Sequence, residues 1–215
     1  WVHPGKIHVA MNLAAVGDSD VTLPRLQLRT TEEPLRVCFL SRLVPKKNLY
    51  FALRVLTKVQ SKVVFTIYGP KEDIAYWQAC EILIAALPSN IRVIDGGEVH
   101  PSNVKARLIE QNLFFFPSRG ENYGHVIHEA LSAGLPVLIS DQTPWQDLEE
   151  RGVGWALALE DENEFAKKID QVSAWSAENY QHTRSTARAY AVEKSIDKDV
   201  LESNRLLFSG LTEQL

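Results

Sequence analysis

Short apolar runs and amphipathic stretches take turns along the middle of this chain, and that alternation limits the possible folds more than any other feature. Apolar runs at 37–40, 63–68, 91–95, 113–117, 137–140 and 155–159 are each bounded by turn residues. Runs this continuous suit strands covered on both faces, because a half-exposed strand alternates apolar and polar side chains. Between them, residues 48–60 place Leu49, Leu53, Leu56 and Val59 on one helical stripe, with Asn48 expected as the cap. Further helices are expected at 73–87, at 102–111 with Ser102 as cap, and at 123–133, where Gly134-Leu135-Pro136 gives a stop signal. Strand and helix alternating at this spacing specify a parallel sheet with right-handed crossovers and helices on both faces.

The expected fold is therefore α/β: a Rossmann-like, six-stranded parallel sheet followed by a helical C-terminal extension. Helical patterns at 162–176, 178–192 and 197–209 supply that extension. Near the start, residues 6–11 alternate weakly like a short extended segment. Residues 12–31, with Gly17, Pro24 and several Ser and Thr, read as a linker. The division expected is an entry segment and linker at 1–34, the Rossmann-like domain at 35–195, and a C-terminal helix at 196–215.

Size and charge exclude several function classes. With 215 residues and 45% hydrophobic content the chain buries a proper core. A formal charge of -4 and a pI near 5.9 give no global basic field, so nucleic acid is not an expected partner. Cys38 lies in an apolar run and Cys80 in a helical pattern, without a CxxC motif, which reads as two buried thiols in a reducing cytoplasm. No apolar run approaches the ~18 residues of a membrane span, and no signal peptide opens the chain. A cytoplasmic location is expected, with peripheral contact at the inner face of the plasma membrane left open. The chain begins at Trp1 and its single methionine is Met11, so the expectation is a processed chain or an excised piece.

In open parallel sheets, ligands sit beyond the C-terminal strand ends, and three loops there stand out. The loop at 41–48 carries Arg42 and Lys47 on either side of Pro45, a planar fork and a point charge that could converge on one anion. A solvated basic loop is the bland alternative. The stretch SRGENYGHVIHEALSAGLPVLISD, 118–141, passes from a glycine-containing loop into a helix. Its first amides, from Gly124 through His125 and Val126, lack intrahelical acceptors and favour a phosphate. Glu121 and Glu129 bracket that helix start, and near a phosphate both need hydroxyl donors such as those of ribose and hexose. Each is otherwise an ordinary surface charge. The third loop, 141–145, either lines the cleft or starts a short helix with Trp145 packed beneath it.

Other motifs fail. No GxxxxGK[ST], GxGxxG or GxSxG is present. His128-Glu129 does not extend to HExxH because Ser132 stands at the second histidine position. His125 and His128, three apart, remain a weak metal pair.

Taken together, these motifs resemble the C-terminal, donor-binding domain of retaining glycosyltransferases of the GT-B fold, glycosyltransferase group 1. The similarity runs from about Leu35 to Val192. Arg42-x4-Lys47 matches the family's basic pair, Glu121 and Glu129 its E-x7-E pattern, and the run from Ala130 to Val137 its EA-x-x-x-G-x-P-V segment. The resemblance implies that Arg42, Lys47 and the amides of Gly124, His125 and Val126 hold the donor diphosphate. Glu129 would bind ribose hydroxyls, and Glu121 would act as the catalytic carboxylate at the donor sugar. It implies a nucleoside diphosphate sugar as substrate, no metal or other cofactor, and a glycan or lipid-linked acceptor bound through an absent N-terminal domain. Bacterial polysaccharide or lipopolysaccharide synthesis is the implied setting, and the isolated half is expected to catalyse little. Two departures matter: Ser41 stands where the family usually has Gly, and Tyr68-Gly69-Pro70 is a less glycine-rich turn than usual. A nucleotide-sugar epimerase, a sugar phosphorylase of the same fold and a non-catalytic nucleotide-sugar binding module are the alternatives. The glutamate pair argues against the first two.

Overall fold

The computed structural model describes residues 33–195. The expected extended segment at 6–11, the linker at 12–31 and the helix at 197–209 lie outside the described residues. In chain order the elements are β1 (Leu35–Leu40), α1 (Leu49–Leu56), β2 (Val63–Tyr68), α2 (Ile74–Ala85), β3 (Ile91–Gly97), α3 (Pro101–Ile109), β4 (Leu113–Phe116), α4 (His125–Ser132), β5 (Val137–Ser140), β6 (Gly154–Leu157), α5 (Glu162–Ser173) and α6 (Ala177–Ser195). All six strands are parallel, in the order β3-β2-β1-β4-β5-β6. One face carries α1 packed on α2 and α5, and the other carries α4 packed on α3 and α6.

The apolar runs became strands for the reason the sequence suggested. Phe114, Phe115 and Phe116 of β4 are all 0% exposed, since this strand lies mid-sheet with helices above and below. Alternate rings serve opposite faces: Phe115 meets Phe165 of α5 at 5.8 Å, while Phe116 meets Phe39 at 5.6 Å. Each such ring contributes about 1.5–3 kcal/mol by leaving water. The expectation of strands covered on both faces fails for β3. As an edge strand it alternates, with Ile91 buried, Arg92 exposed and Ile94 37% exposed.

Helix starts diverge from expectation where tertiary or local geometry overrides propensity. Asp73 and Asp161 cap α2 and α5 by accepting from Tyr76 N and Glu164 N. The cap of α3 is His100 instead of Ser102, because Pro101 has the fixed φ suited to a first helical position and starts the helix earlier. Asn48 precedes α1 but makes no side-chain cap: it sits at φ 64° and turns its amide to Pro117 O at 3.0 Å. The Gly134 stop holds as read, at φ 81°, with Gly134 N bonded to Leu131 O and Leu135 N to Ala130 O. Among the described residues no helix is long and apolar enough to cross a membrane.

Candidate functional site

Strand order places the crevice. The chain runs outward from β1 through β2 to β3, then returns to β4 on the other side of β1, so neighbouring strand ends send their loops in opposite directions. The loop after β1 and the loop after β4 face each other across that switch point.

The first loop is fixed from below. Ser41 N bonds Tyr68 O at 3.0 Å and Leu43 N bonds Pro70 O at 2.9 Å, while Leu43 is 1% exposed. The Ser41 carbonyl presses against Gly69: a Cβ there would lie 1.8 Å from Ser41 O. The close approach of this main-chain carbonyl is thus possible because residue 69 is glycine. Pro45–Lys47 form a single 3-10 turn, with Lys47 N on Val44 O, which hands Asn48 to the α1 start.

Asn48 also ties this loop to the second one, and Arg119 N reinforces the join by bonding Lys46 O at 2.9 Å. Ser118, fully buried, donates its hydroxyl to Glu121 Oε1 at 2.7 Å, and its carbonyl accepts from Ser140 Oγ. Glu121 N bonds Gln142 O at 3.2 Å, which joins the loop after β5 to the same assembly. Within that loop Trp145 is 4% exposed and donates its indole N–H to Tyr123 O. Trp145 is therefore packed as expected, but residues 141–145 do not start a helix.

The α4 start presents its first amides without intrahelical acceptors. Gly124 takes φ 81°, a conformation that glycine adopts without strain, and a Cβ would collide with Ile127 Cδ1 at 2.8 Å. Among the described residues no acceptor is bonded to the amides of Gly124, His125 or Val126, whereas Ile127 N and His128 N turn back to Gly124 O. Glu129 follows about 7 Å further along the helix axis. The residue keeps some surface exposure, while partial burial pushes its carboxyl pKa up, with the nearby His125 opposing that shift.

The charged residues are arranged differently from the sequence reading. Arg42 and Lys47 are each held by a different carboxylate. Arg42, 61% exposed, lies 3.3 Å from Glu72, while Lys47 lies 2.6 Å from Glu121. The Lys47–Glu121 pair is well shielded, with side chains 14% and 12% exposed, and the Lys47 ammonium also stands 5.6 Å from the Phe116 ring. Residues assigned to separate parts of a ligand thus hold each other. His128 is a packing residue: its Nε2 lies 2.7 Å from Ser195 Oγ and 3.1 Å from Ala191 O, joining α4 to α6. Burial lowers its pKa, and the Ala191 contact opposes that shift.

Sequence reasoning missed two serines and one ion pair. Ser118 and Ser140 are buried anchors with no local motif. At the β2 and β3 ends, Lys71 pairs with Asp95 at 2.5 Å and stands over the Trp77 ring. Asp95 directly precedes Gly96-Gly97 at a strand end, and that turn was the one available signal.

Solved structures share this architecture. A TarM mutant from S. aureus, in complex with fondaparinux, alpha-GlcNAc-glycerol and UDP, superposes with TM-score 0.66 at 22% identity, over 85% of this chain and 38% of that one. HepE from Anabaena, in complex with UDP and glucose, gives TM-score 0.66 at 20% identity, over 85% of this chain and 49% of that one. WaaG, a glycosyltransferase involved in lipopolysaccharide biosynthesis, gives TM-score 0.62 at 16% identity, over 79% and 46%. The chain therefore spans less than half the length of each. At these identities the likeness shows the fold. No curated protein matches the chain in sequence. The sequence model for glycosyl transferases group 1 matches residues 24–190, most of the chain including every loop of the crevice, and the chain belongs to that family.

Proposed function

We propose that this chain is the donor-binding half of a retaining glycosyltransferase, and that a nucleoside diphosphate sugar occupies the crevice above β1 and β4. The observation that carries the reading is the placement of two loop cations, helix N-terminal amides without a bonded acceptor and two carboxylates in the loops around one topological switch point. UDP accompanies the TarM and HepE neighbours, which supports a diphosphate ligand.

The roles follow from charge. As the bond between sugar and diphosphate breaks, negative charge grows on the departing phosphate. Arg42, Lys47 and the amides of Gly124, His125 and Val126 lie in the loops that would meet it. Interactions that strengthen as charge develops raise turnover as well as affinity. Glu129 accepts the ribose hydroxyls. Glu121 accepts from the donor sugar and stabilises positive charge at its anomeric carbon. The acceptor oxygen forms the new bond on the face the phosphate leaves, and its proton passes to the departing phosphate. Fixed cations and helix amides make a metal unnecessary. The acceptor, a glycan or a lipid-linked sugar of a bacterial surface polymer, enters from a second domain on the cytoplasmic side of the membrane.

Calorimetric titration of UDP, GDP and ADP into the chain tests the reading. One of the three should bind, and weaken on Lys47→Ala. Silence from all three at millimolar concentration would refute it.

A further inference from the structure

We propose that the Lys47–Glu121 ion pair is a latch opened by the donor's diphosphate. The phosphate takes Lys47 away from Glu121, and only then is the carboxylate free to hold the donor sugar. The inference rests on the donor-site reading above and adds an order of events to it.

Lys47 Nζ and Ser118 Oγ both reach the same oxygen, Glu121 Oε1, at 2.6 and 2.7 Å. The Lys47 and Glu121 side chains are 14% and 12% exposed, so water offers little substitute if the pair opens. An unpaired, shielded ammonium is costly, so Lys47 leaves Glu121 only for another anion. The backbone around the pair is pinned by Arg119 N to Lys46 O, Asn48 Nδ2 to Pro117 O and Glu121 N to Gln142 O. Opening therefore needs side-chain rotation alone. Arg42 differs: its pair with Glu72 is 61% and 43% exposed, a kind of contact worth about 0–1 kcal/mol. Arg42 is the cation that a diphosphate recruits at little cost, and Lys47 the one it must win.

The latch also separates the donor from the spent product. A nucleoside diphosphate can take Lys47, but it leaves Glu121 facing phosphate with no hydroxyl to accept from, apart from the Ser118 contact. An intact nucleotide-sugar supplies those hydroxyls. Glu121 thus disfavours the product relative to the substrate and assists its release.

The test is calorimetry on the whole chain with UDP, GDP and ADP, followed by the responsive diphosphate on variants. Glu121→Gln should bind that diphosphate about tenfold more tightly, a change of about 1.4 kcal/mol. In a Lys47→Ala background the same substitution should change affinity by less than about twofold, because the latch acts through Lys47. If wild type binds but Glu121→Gln binds equally or more weakly, the latch is overturned while the donor site stands. If the tenfold gain persists without Lys47, Glu121 acts by simple repulsion and the latch is again overturned. Silence of the wild-type chain toward all three diphosphates removes the donor site and the latch together. Should Glu121→Gln fail to fold by circular dichroism, Glu121→Asp, which draws the carboxylate back, must show the same tightening.

Discussion

Replacing Asn48 should cost substantial stability, and the cost can be worked from two terms. Asn48 is 4% exposed and is the sole non-glycine residue at positive φ among the described residues. Its amide donates to Pro117 O at 3.0 Å, inside the join between the β1 and β4 loops. Asn48→Ala leaves that buried carbonyl unpaired, at about 1–3 kcal/mol. It also forces alanine into the left-handed region, at about 1–2 kcal/mol. The sum is roughly 3 kcal/mol, or about 6–12 °C in Tm for a chain of this size.

Two companion variants separate the terms. Asn48→Gly keeps the backbone freedom and loses the hydrogen bond. Allowing for glycine's extra chain entropy of about 0.5–1 kcal/mol, it should be milder than Asn48→Ala by about 0.5–1 kcal/mol. Asn48→Asp keeps the tolerance for positive φ but turns an acceptor toward an acceptor in a buried place, and should be at least as damaging as alanine. Urea denaturation followed by circular dichroism measures all three. The reasoning is refuted if Asn48→Ala lies within 1 kcal/mol of wild type, or if Asn48→Gly is the more destabilised of the pair.

Gly69→Ala should prevent stable folding or cost more than about 3 kcal/mol, because its Cβ would sit 1.8 Å from Ser41 O at φ 134°; a Tm within 3 °C of wild type contradicts this. Burial lowers the His128 pKa, so the unfolded chain binds more protons just below its ordinary value of about 6.5. Stability is full above about pH 6.5 and falls as pH drops through that value toward the folded pKa; thermal melts should show the fall, and His128→Gln should flatten it. Cys38 and Cys80 are free and buried, and burial pushes the Cys80 thiol up to about 11. Neither should react with a thiol reagent at pH 8 until the chain unfolds, and prompt modification of the native chain would argue against the packing described.

The sheet was legible where the physics is local and repetitive. LFFF of β4 is apolar throughout and VLIS of β5 is apolar up to Ser140 because both faces are covered, and every residue in them is buried. The same rule misled at β3, whose edge position is a property of strand order. The α3 cap was misplaced because serine propensity was weighed above the proline one residue before it. The Gly134 stop succeeded because its requirement, a positive φ, belongs to a single residue. Site residues were recognisable as types but not as partners. Lys47 and Glu121 stand 74 positions apart, and nothing in either neighbourhood shows that they meet. Ser118 and Ser140 carried no signal, since a buried hydroxyl bonded to a distant backbone has no sequence pattern.

That division between what is local and what is not also divides the crevice physically. Asn48, Ser118 and the Gln142 carbonyl bind three loops into one backbone frame, and each makes its bond through a buried group or a main-chain atom. Arg42, Lys47 and Glu121 project from that frame and are held by ion pairs that a ligand can exchange. Stability and affinity should therefore respond to different residues. Substitutions at Asn48 should lower Tm while leaving the nucleotide affinity of the still-folded fraction within about threefold. Substitutions at Arg42 should do the opposite, since an exposed pair contributes about 0–1 kcal/mol to folding. A variant at Arg42 that loses stability in step with affinity would show that the cations belong to the frame, and that the frame is assembled by the ligand.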